Sequence, residues 1–266
     1  MIKPDFEVIT KRISTKKDAH ILGVGDLHIG TIEANKKGWE YFVQLILKDP
    51  LAYVIFVGDL MNNATKSSVS NVFEETMRPR EQKMYLVEKL KPLAEAERIL
   101  AIEPGNHEQR SAKDADDDPL YDVAAKLDIE DVYRENVALV KVVVGDNKNA
   151  NAYSILAAHG AGGGALTGSS VNRYERYASS WDGVDIFMFG HTHKPFVTKP
   201  NKMVMDTQRG LVRQKKMVVM TVPSWLQYAG YPVRKLMSPV EQYDPDQPMG
   251  ISLSGKDGVR RIKIDW

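Results

Sequence analysis

Five short apolar runs in this chain each stop at a motif that joins glycine to a carboxylate, an amide or an imidazole. Residues 19–25 lead into Asp26-Leu27-His28, and residues 51–57 lead into Gly58-Asp59-Leu60-Met61-Asn62. Residues 99–103 precede Gly105-Asn106-His107-Glu108, residues 152–158 precede His159-Gly160, and residues 184–189 precede Gly190-His191-Thr192-His193. Runs of this length and β-branched content read as buried strands. A fold that keeps them must also bring their polar ends to a common edge, where open α/β sheets bind ligands.

Between these runs lie helical patterns. In residues 35–48, Trp39, Phe42, Val43, Ile46 and Leu47 recur at spacings of three and four, which predicts an amphipathic helix. Residues 69–97 read as mostly helical, with a break expected at Pro79 or Pro92. Strand, helix, strand, helix, strand is the order of parallel βαβ units, so the fold class is α/β. Later, residues 137–144 and 152–158 flank the polar turn 145–149 as a hairpin, and a helix is expected over 167–180. Further strands are expected at 184–189 and 217–222, with a closing hairpin from 251–254 and 259–264. No repeat or linker divides the chain, which reads as one domain over residues 1–266.

The chemistry of the motifs narrows the function. Five of the six histidines sit just past a predicted strand, while His20 begins one and is expected to be structural. Cysteine is absent, which removes thiolate ligands and a cysteine nucleophile and fits a reducing compartment. Carboxylates, imidazoles and one amide oxygen suit hard or borderline divalent metals such as manganese, iron or zinc. Asp26 and His28 are one residue apart, as are His191 and His193, so each pair could meet one ion or two adjacent ions.

The order Asp-x-His, Gly-Asp-x-x-Asn, Gly-Asn-His-Glu, His-Gly, Gly-His-Thr-His, from Gly25 to His193, resembles the calcineurin-like metallophosphoesterase superfamily. The resemblance implies a four-layer sandwich, two mixed β-sheets face to face and flanked by helices. It implies that Asp26, His28, Asp59 and His193 hold one divalent ion and that Asp59, Asn106, His159 and His191 hold a second, with Asp59 bridging. Manganese is the first expectation, with iron, zinc or nickel as alternatives. His107 would be catalytic rather than a ligand, stabilising charge on the substrate or protonating the leaving oxygen. Two cations about 3.5–4 Å apart would clamp a phosphoryl group and turn a bridging water into a hydroxide that attacks phosphorus in line.

The Gly58-Asp59-Leu60-Met61-Asn62-Asn63 stretch departs from the Gly-Asp-Tyr-Val-Asp-Arg-Gly pattern of Ser/Thr protein phosphatases. Gly25-Asp26-Leu27-His28-Ile29-Gly30 is closer to the first motif of Mre11/SbcD-type nucleases. The expected substrate is therefore a phosphodiester in single-stranded or duplex DNA, or in a nucleotide. A small phosphate-ester metabolite and a non-catalytic, metal-stabilised scaffold for a protein partner are the alternatives. Asn62, Arg78, Arg80 and Arg110 are candidate substrate contacts, since arginine can grip phosphate oxygens bidentately; each arginine could equally face solvent.

Residues 194–216 carry seven lysines and arginines against Asp206, a basic stretch that could touch a phosphate backbone or be a solvated hairpin. The formal net charge of +1 gives no global pull on a polyanion. Gly162-Gly163-Gly164 reads as an adaptable loop beside the metals, Tyr174 as core packing, and Trp225 and Tyr228 as candidates for the site's neighbourhood. No apolar run is long enough to span a membrane, and the N-terminus has no signal-peptide core, so a cytoplasmic address is expected.

Overall fold

The computed structural model describes residues 6–66, 68, 72–164 and 166–265. Residues 1–5 of the expected leaderless N-terminus, residues 69–71 of the expected helix, and Ala165 beside the glycine loop lie outside the described residues. In chain order the first half comprises β1 (Val8–Ile13), β2 (Ala19–Val24), α1 (Lys36–Lys48), β3 (Ala52–Val57), α2 (Pro79–Glu95), β4 (Ile99–Glu103), α3 (Gln109–Ala115) and α4 (Pro119–Lys126). There follow β5 (Ala138–Val144), β6 (Asn151–Ala158), α5 (Thr167–Ser179), β7 (Ile186–Phe189), β8 (Phe196–Thr198), β9 (Asn201–Asp206) and β10 (Leu211–Lys216). The chain closes with β11 (Val218–Thr221), the one-turn α6 (Tyr231–Arg234), β12 (Gly250–Leu253) and β13 (Ile262–Asp265).

Two mixed sheets form, in the orders β1-β5-β6-β7-β11-β8 and β13-β12-β2-β3-β4. Their strands are apolar on both faces because each face meets a different layer. On β3, Tyr53, Ile55 and Val57 enter a core shared with Val140, Val142, Ile155, Ala157 and Met188 of the other sheet. Val54 and Phe56 point the other way, onto Trp39, Phe42 and Ile46 of α1 and Leu86 and Leu90 of α2. Beyond the six-stranded sheet, Leu156, Phe187 and Phe189 pack under Tyr174 and Ala178 of α5. Helix, sheet, sheet, helix is the expected four-layer sandwich.

Local signals account for most element limits. Asn35 caps α1, its side chain accepting from the Gly38 N–H at 3.0 Å. α2 begins later than expected, at Pro79, because proline is suited to the first helical position. The segment before it is a 3-10 turn, Val72–Glu74, and Thr76 N–H then donates to Gly30 O at 2.7 Å, which draws this stretch toward the polar strand ends. Pro92 is accommodated near the helix end.

Strands β1 and β8 were not expected from the sequence, and the hairpin allowed for in residues 194–216 is β9 and β10. β1, with Lys11 and Arg12 in its run, is an edge strand parallel to β5. β8 is antiparallel to β11, and β9 and β10 pair only with each other. His20 keeps its structural reading: on β2, its Nδ1 lies 2.9 Å from Ser252 Oγ of β12.

Candidate metal centre

All five motifs meet at one end of the two sheets, and backbone hydrogen bonds lock their loops together. Asp26 N–H donates to Gly58 O at 3.0 Å, His28 N–H to Asp59 O at 2.9 Å, and Ile29 N–H to Leu60 O at 2.9 Å. Gly190 N–H donates to His159 O at 3.0 Å, and Trp225 N–H to Asp26 O at 3.1 Å. The turns are tight enough that Asp26, His28, Asp59, His191 and His193 themselves adopt positive φ, between 46° and 69°. Left-handed backbone at non-glycine residues is uncommon and gathers at functional sites. The neighbouring glycines answer a different need. A Cβ on Gly105 would lie 2.1 Å from Asp59 Oδ1, and one on Gly58 2.5 Å from Gly105 N, so these loops close only without side chains there.

The side chains converge in two groups that share Asp59. In the first, His193 Nε2 is 3.1 Å from Asp26 Oδ1 and 3.2 Å from His28 Nε2, which is in turn 3.8 Å from Asp59 Oδ2. In the second, His159 Nε2 is 3.3 Å from Asp59 Oδ2 and 3.0 Å from Asn106 Oδ1. His191 Nδ1 approaches Asn106 Oδ1 at 2.8 Å and His159 Nε2 at 3.2 Å. Asp26, His28, Asp59 and His159 are buried and form the floor; Asn106, His191 and His193 form the rim.

These residues fit a divalent cation. Buried carboxylates need a compensating positive charge; Asp26 accepts the backbone N–H of His191 and Asp59 that of His107, but among the described residues the only side chains within 4 Å of either that can carry positive charge are imidazoles. Ring nitrogens of different histidines face one another at 3.2 Å, an arrangement that an ion between donors relieves. His159 Nδ1–H donates to Val57 O at 2.8 Å, which leaves Nε2 as the free donor toward the site. Asp26 with His28 and His193, and Asp59 with His159 and His191, each gather three donor atoms within 4.8 Å of one another. With oxygen and imidazole donors and no sulfur, the set suits hard or borderline metals.

Proton affinities follow from the same proximity. Burial lowers His28 well below its usual value, helped by the neighbouring His107. Burial opposes ionisation of Asp59, but His159 and His107 prevail and hold it well below the carboxylate range. At His159 burial is likewise overcome by Asp59, and its pKa rises to about 10. His193 is raised by Asp26 in spite of burial.

His107 stands beside both groups, its Nε2 3.8 Å from Asp59 Oδ2. Its Nδ1–H donates to Asn62 O at 2.9 Å, and the Arg110 guanidinium donates to Nε2 at 2.9 Å. Burial lowers its pKa; Asp59 opposes this and Arg110 reinforces it. Arg110 also donates to Asn62 O at 3.1 Å, so Asn62, His107 and Arg110 form one unit. Arg78 and Arg80 lie apart from it, exposed at the start of α2 in a cleft with Met77, Glu81 and Met84.

The family model of calcineurin-like phosphoesterases matches residues 19–195, more than half of the chain. The chain belongs to that family. The matched segment contains every donor above together with His107. None of the curated proteins matches this phosphoesterase. Among solved structures, a conserved uncharacterized protein from Streptococcus pneumoniae TIGR4, described as a predicted phosphoesterase, is 12% identical; the match covers 94% of this chain and 99% of that one at a TM-score of 0.33. A metallophosphoesterase from Sphaerobacter thermophilus is 13% identical, covering 92% and 87% at a TM-score of 0.35. At such scores the assignment rests on the family model and the site.

Several supporting residues escaped the sequence reading. Glu108 was visible only as the end of its motif, yet its buried carboxylate accepts from three backbone N–H groups, those of Asp59, Met61 and Gly105. Asn63 Nδ2 donates to His107 O at 2.9 Å. Glu75 accepts from Asn62 and Gln82, from a stretch with no motif to mark it. Lys194 donates to Gly164 O and so ties the glycine loop to the end of the His191–His193 turn. Trp225 contributes backbone only; its ring is core, stacked on Tyr243 at 4.3 Å, while Tyr228 is part-exposed and bonds Met237 O. Tyr174 is core, stacked on Phe189. Among the described residues no helix is long and apolar enough to cross a membrane.

Proposed function

We propose that this phosphoesterase uses a dinuclear centre to hydrolyse phosphodiesters, with DNA or nucleotides as the substrate class. The observation that carries the reading is Asp59, buried between two donor groups and within 4 Å of histidines from both. Asp26, His28, Asp59 and His193 would hold one ion and Asp59, Asn106, His159 and His191 the other, manganese being the first candidate. Bound divalent cations supply positive charge to the phosphoryl oxygens and lower the pKa of a water.

The chain's own residues do the rest. Asn106, His191 and His193 at the rim leave the donors open to an incoming ester. Arg110 offers the guanidinium nearest to His107, with geometry suited to phosphate oxygens. As Arg110 turns to a phosphate, His107 Nε2 is released to hydrogen-bond the substrate. Asn62 O holds Nδ1–H throughout, which fixes the ring's orientation. Glu75 places a carboxylate close to Arg110 and Asn62, and its charge favours a singly charged diester over a doubly charged monoester.

The test is manganese-dependent cleavage of end-labelled single-stranded DNA, with His107→Ala prepared in parallel. The expected result is cleavage by the wild type and a loss of about 10²-fold or more in the variant, which retains its metal. Metal-loaded protein that leaves DNA intact but hydrolyses a small phosphate ester would overturn the choice of substrate. Loss of metal in His107→Ala would overturn the role of His107.

A further inference from the structure

We propose that a second, cationic site binds the phosphate backbone of a nucleic-acid strand, in the cleft between the β9–β10 arm and the chain around Arg260. This rests on the reading of the metal centre as acting on nucleic acid and adds to it an anchor away from the metals.

The arm is an outgrowth of the six-stranded sheet. Thr198 pairs with Val219 on β8 and β11, and Asn201 pairs with Lys216 on β9 and β10 in the same antiparallel register. Met217 N–H donates to Pro200 O at 3.0 Å between the two ladders, so one hairpin runs from Phe196 to Thr221. β11 runs parallel to β7, whose C-terminal end leads to His191 and His193. The arm therefore leaves the sheet at the end opposite the metal donors. β11 spans four residues, so the arm's base is separated from the site by roughly 13 Å of strand at about 3.3 Å per residue. The basic stretch that follows the Gly-His-Thr-His motif in sequence is thus carried away from it in space.

The charge in the cleft is lopsided. A cleft of about 670 Å³ is lined by Lys199, Arg213, Lys215, Lys216 and Arg260, with Asp185 as its one acidic residue. Asp185 is occupied by Arg260, whose guanidinium also lies 5.0 Å from the Tyr153 ring centroid. Arg213 pairs with Asp206 at 2.5 Å and Lys202 with Asp182 at 2.7 Å. Lys199, Lys215 and Lys216 have no carboxylate within ion-pair distance among the described residues. In a chain with a formal net charge of +1 this surplus is local. Lys199, Lys215 and Lys216 gather at the base of the ribbon, Lys215 and Lys216 on its opposite faces, with Lys202 paired with Lys215 and Arg213 further along it, so the positive charge is spread over several positions and suits a chain of phosphates better than a single one. A two-stranded hairpin is at best marginal alone, and a polyanion along it would hold it.

The test uses the full chain in a His107→Ala background, so that the probe is not consumed, with a fluorescein-labelled single-stranded 20-mer read by anisotropy. Lys199, Lys215 and Lys216 are changed together to alanine. The expected result is at least a 10-fold weaker Kd and a fall of about two in the slope of log Kd against log salt, roughly 0.7 per lost phosphate contact on single strands. In the wild-type background the same triple change should leave hydrolysis of bis-p-nitrophenyl phosphate unchanged. DNA bound equally by both proteins with equal slopes would overturn the anchor while leaving the reading of the metal centre intact. Hydrolysis of the small diester with no binding or cleavage of DNA would overturn both.

Discussion

Glu108 Oε2 accepts the backbone N–H of Asp59 at 3.0 Å, so the third motif holds the second in place. The same carboxylate takes the Met61 N–H at 2.7 Å and the Gly105 N–H at 2.8 Å. Burial and the nearby Asp59 charge raise its pKa to about 7. Asp59 is thereby positioned by a residue that belongs to neither donor group. Glu108→Gln keeps the shape but turns an amide toward at least one backbone donor. Leaving one buried N–H unmet costs about 1–3 kcal/mol. The expected result is a lower Tm and reduced metal content; a variant that melts and loads like the wild type would show the clamp to be dispensable.

Metal binding should release protons. His159 in the metal-free protein has its pKa raised to about 10 by Asp59 against the pull of burial, yet a ligating imidazole must be neutral. Affinity is expected to rise with pH up to about 10, the range in which folded His159 still holds its proton. Calorimetric titration with manganese in buffers of different ionisation enthalpy reads the proton count. A count of zero at pH 7 contradicts the protonated His159–Asp59 pair.

Glu103 ends β4 in full burial, with no cation at ion-pair distance among the described residues. Burial raises its pKa well above 4.5, against smaller opposing effects of His159 and the Ala138 backbone. The folded chain thus holds this proton more tightly than the unfolded one. That contribution to stability declines as pH rises above about 4.5 and continues to decline until the folded pKa is passed, at up to about 1.4 kcal/mol per pH unit. Glu103→Gln removes the titration, so its melting temperature should depend less on pH between 5 and 8. Equal pH slopes for variant and wild type would contradict the assignment.

The α/β class and the polar strand ends were legible because both rest on local chemistry, and the four-layer sandwich and the grouping of the donors followed from the family resemblance those strand ends carry. Apolar runs such as 51–57 and 184–189 announce strands buried on both faces, and a histidine or aspartate after each has no packing reason to be there. What was not legible depends on tertiary contact. β1 carries Lys11 and Arg12, and its pairing with β5 spans most of the sheet's sequence distance. The arm reads as a basic loop or hairpin in sequence, and only its shared register with β8 and β11 shows that it extends the six-stranded sheet. Glu108 is visible in sequence only as the end of its motif and Glu75 has no motif to mark it, and only the loops that fold over them show them to be supports. Arg78, Arg80 and Arg110 have the same chemistry in sequence, but only Arg110 lies on a helix that begins at the motif itself.

The shared carboxylate is the centre of the account, and metal stoichiometry tests it most directly. Wild-type protein and Asp59→Asn are each loaded with manganese, freed of excess, and assayed by elemental analysis per folded chain. The account predicts two ions per wild-type chain and loss from both positions in the variant, because Asp59 faces His28 at 3.8 Å and His159 at 3.3 Å. A wild type that holds a single ion, or an Asp59→Asn protein that keeps both, would contradict it.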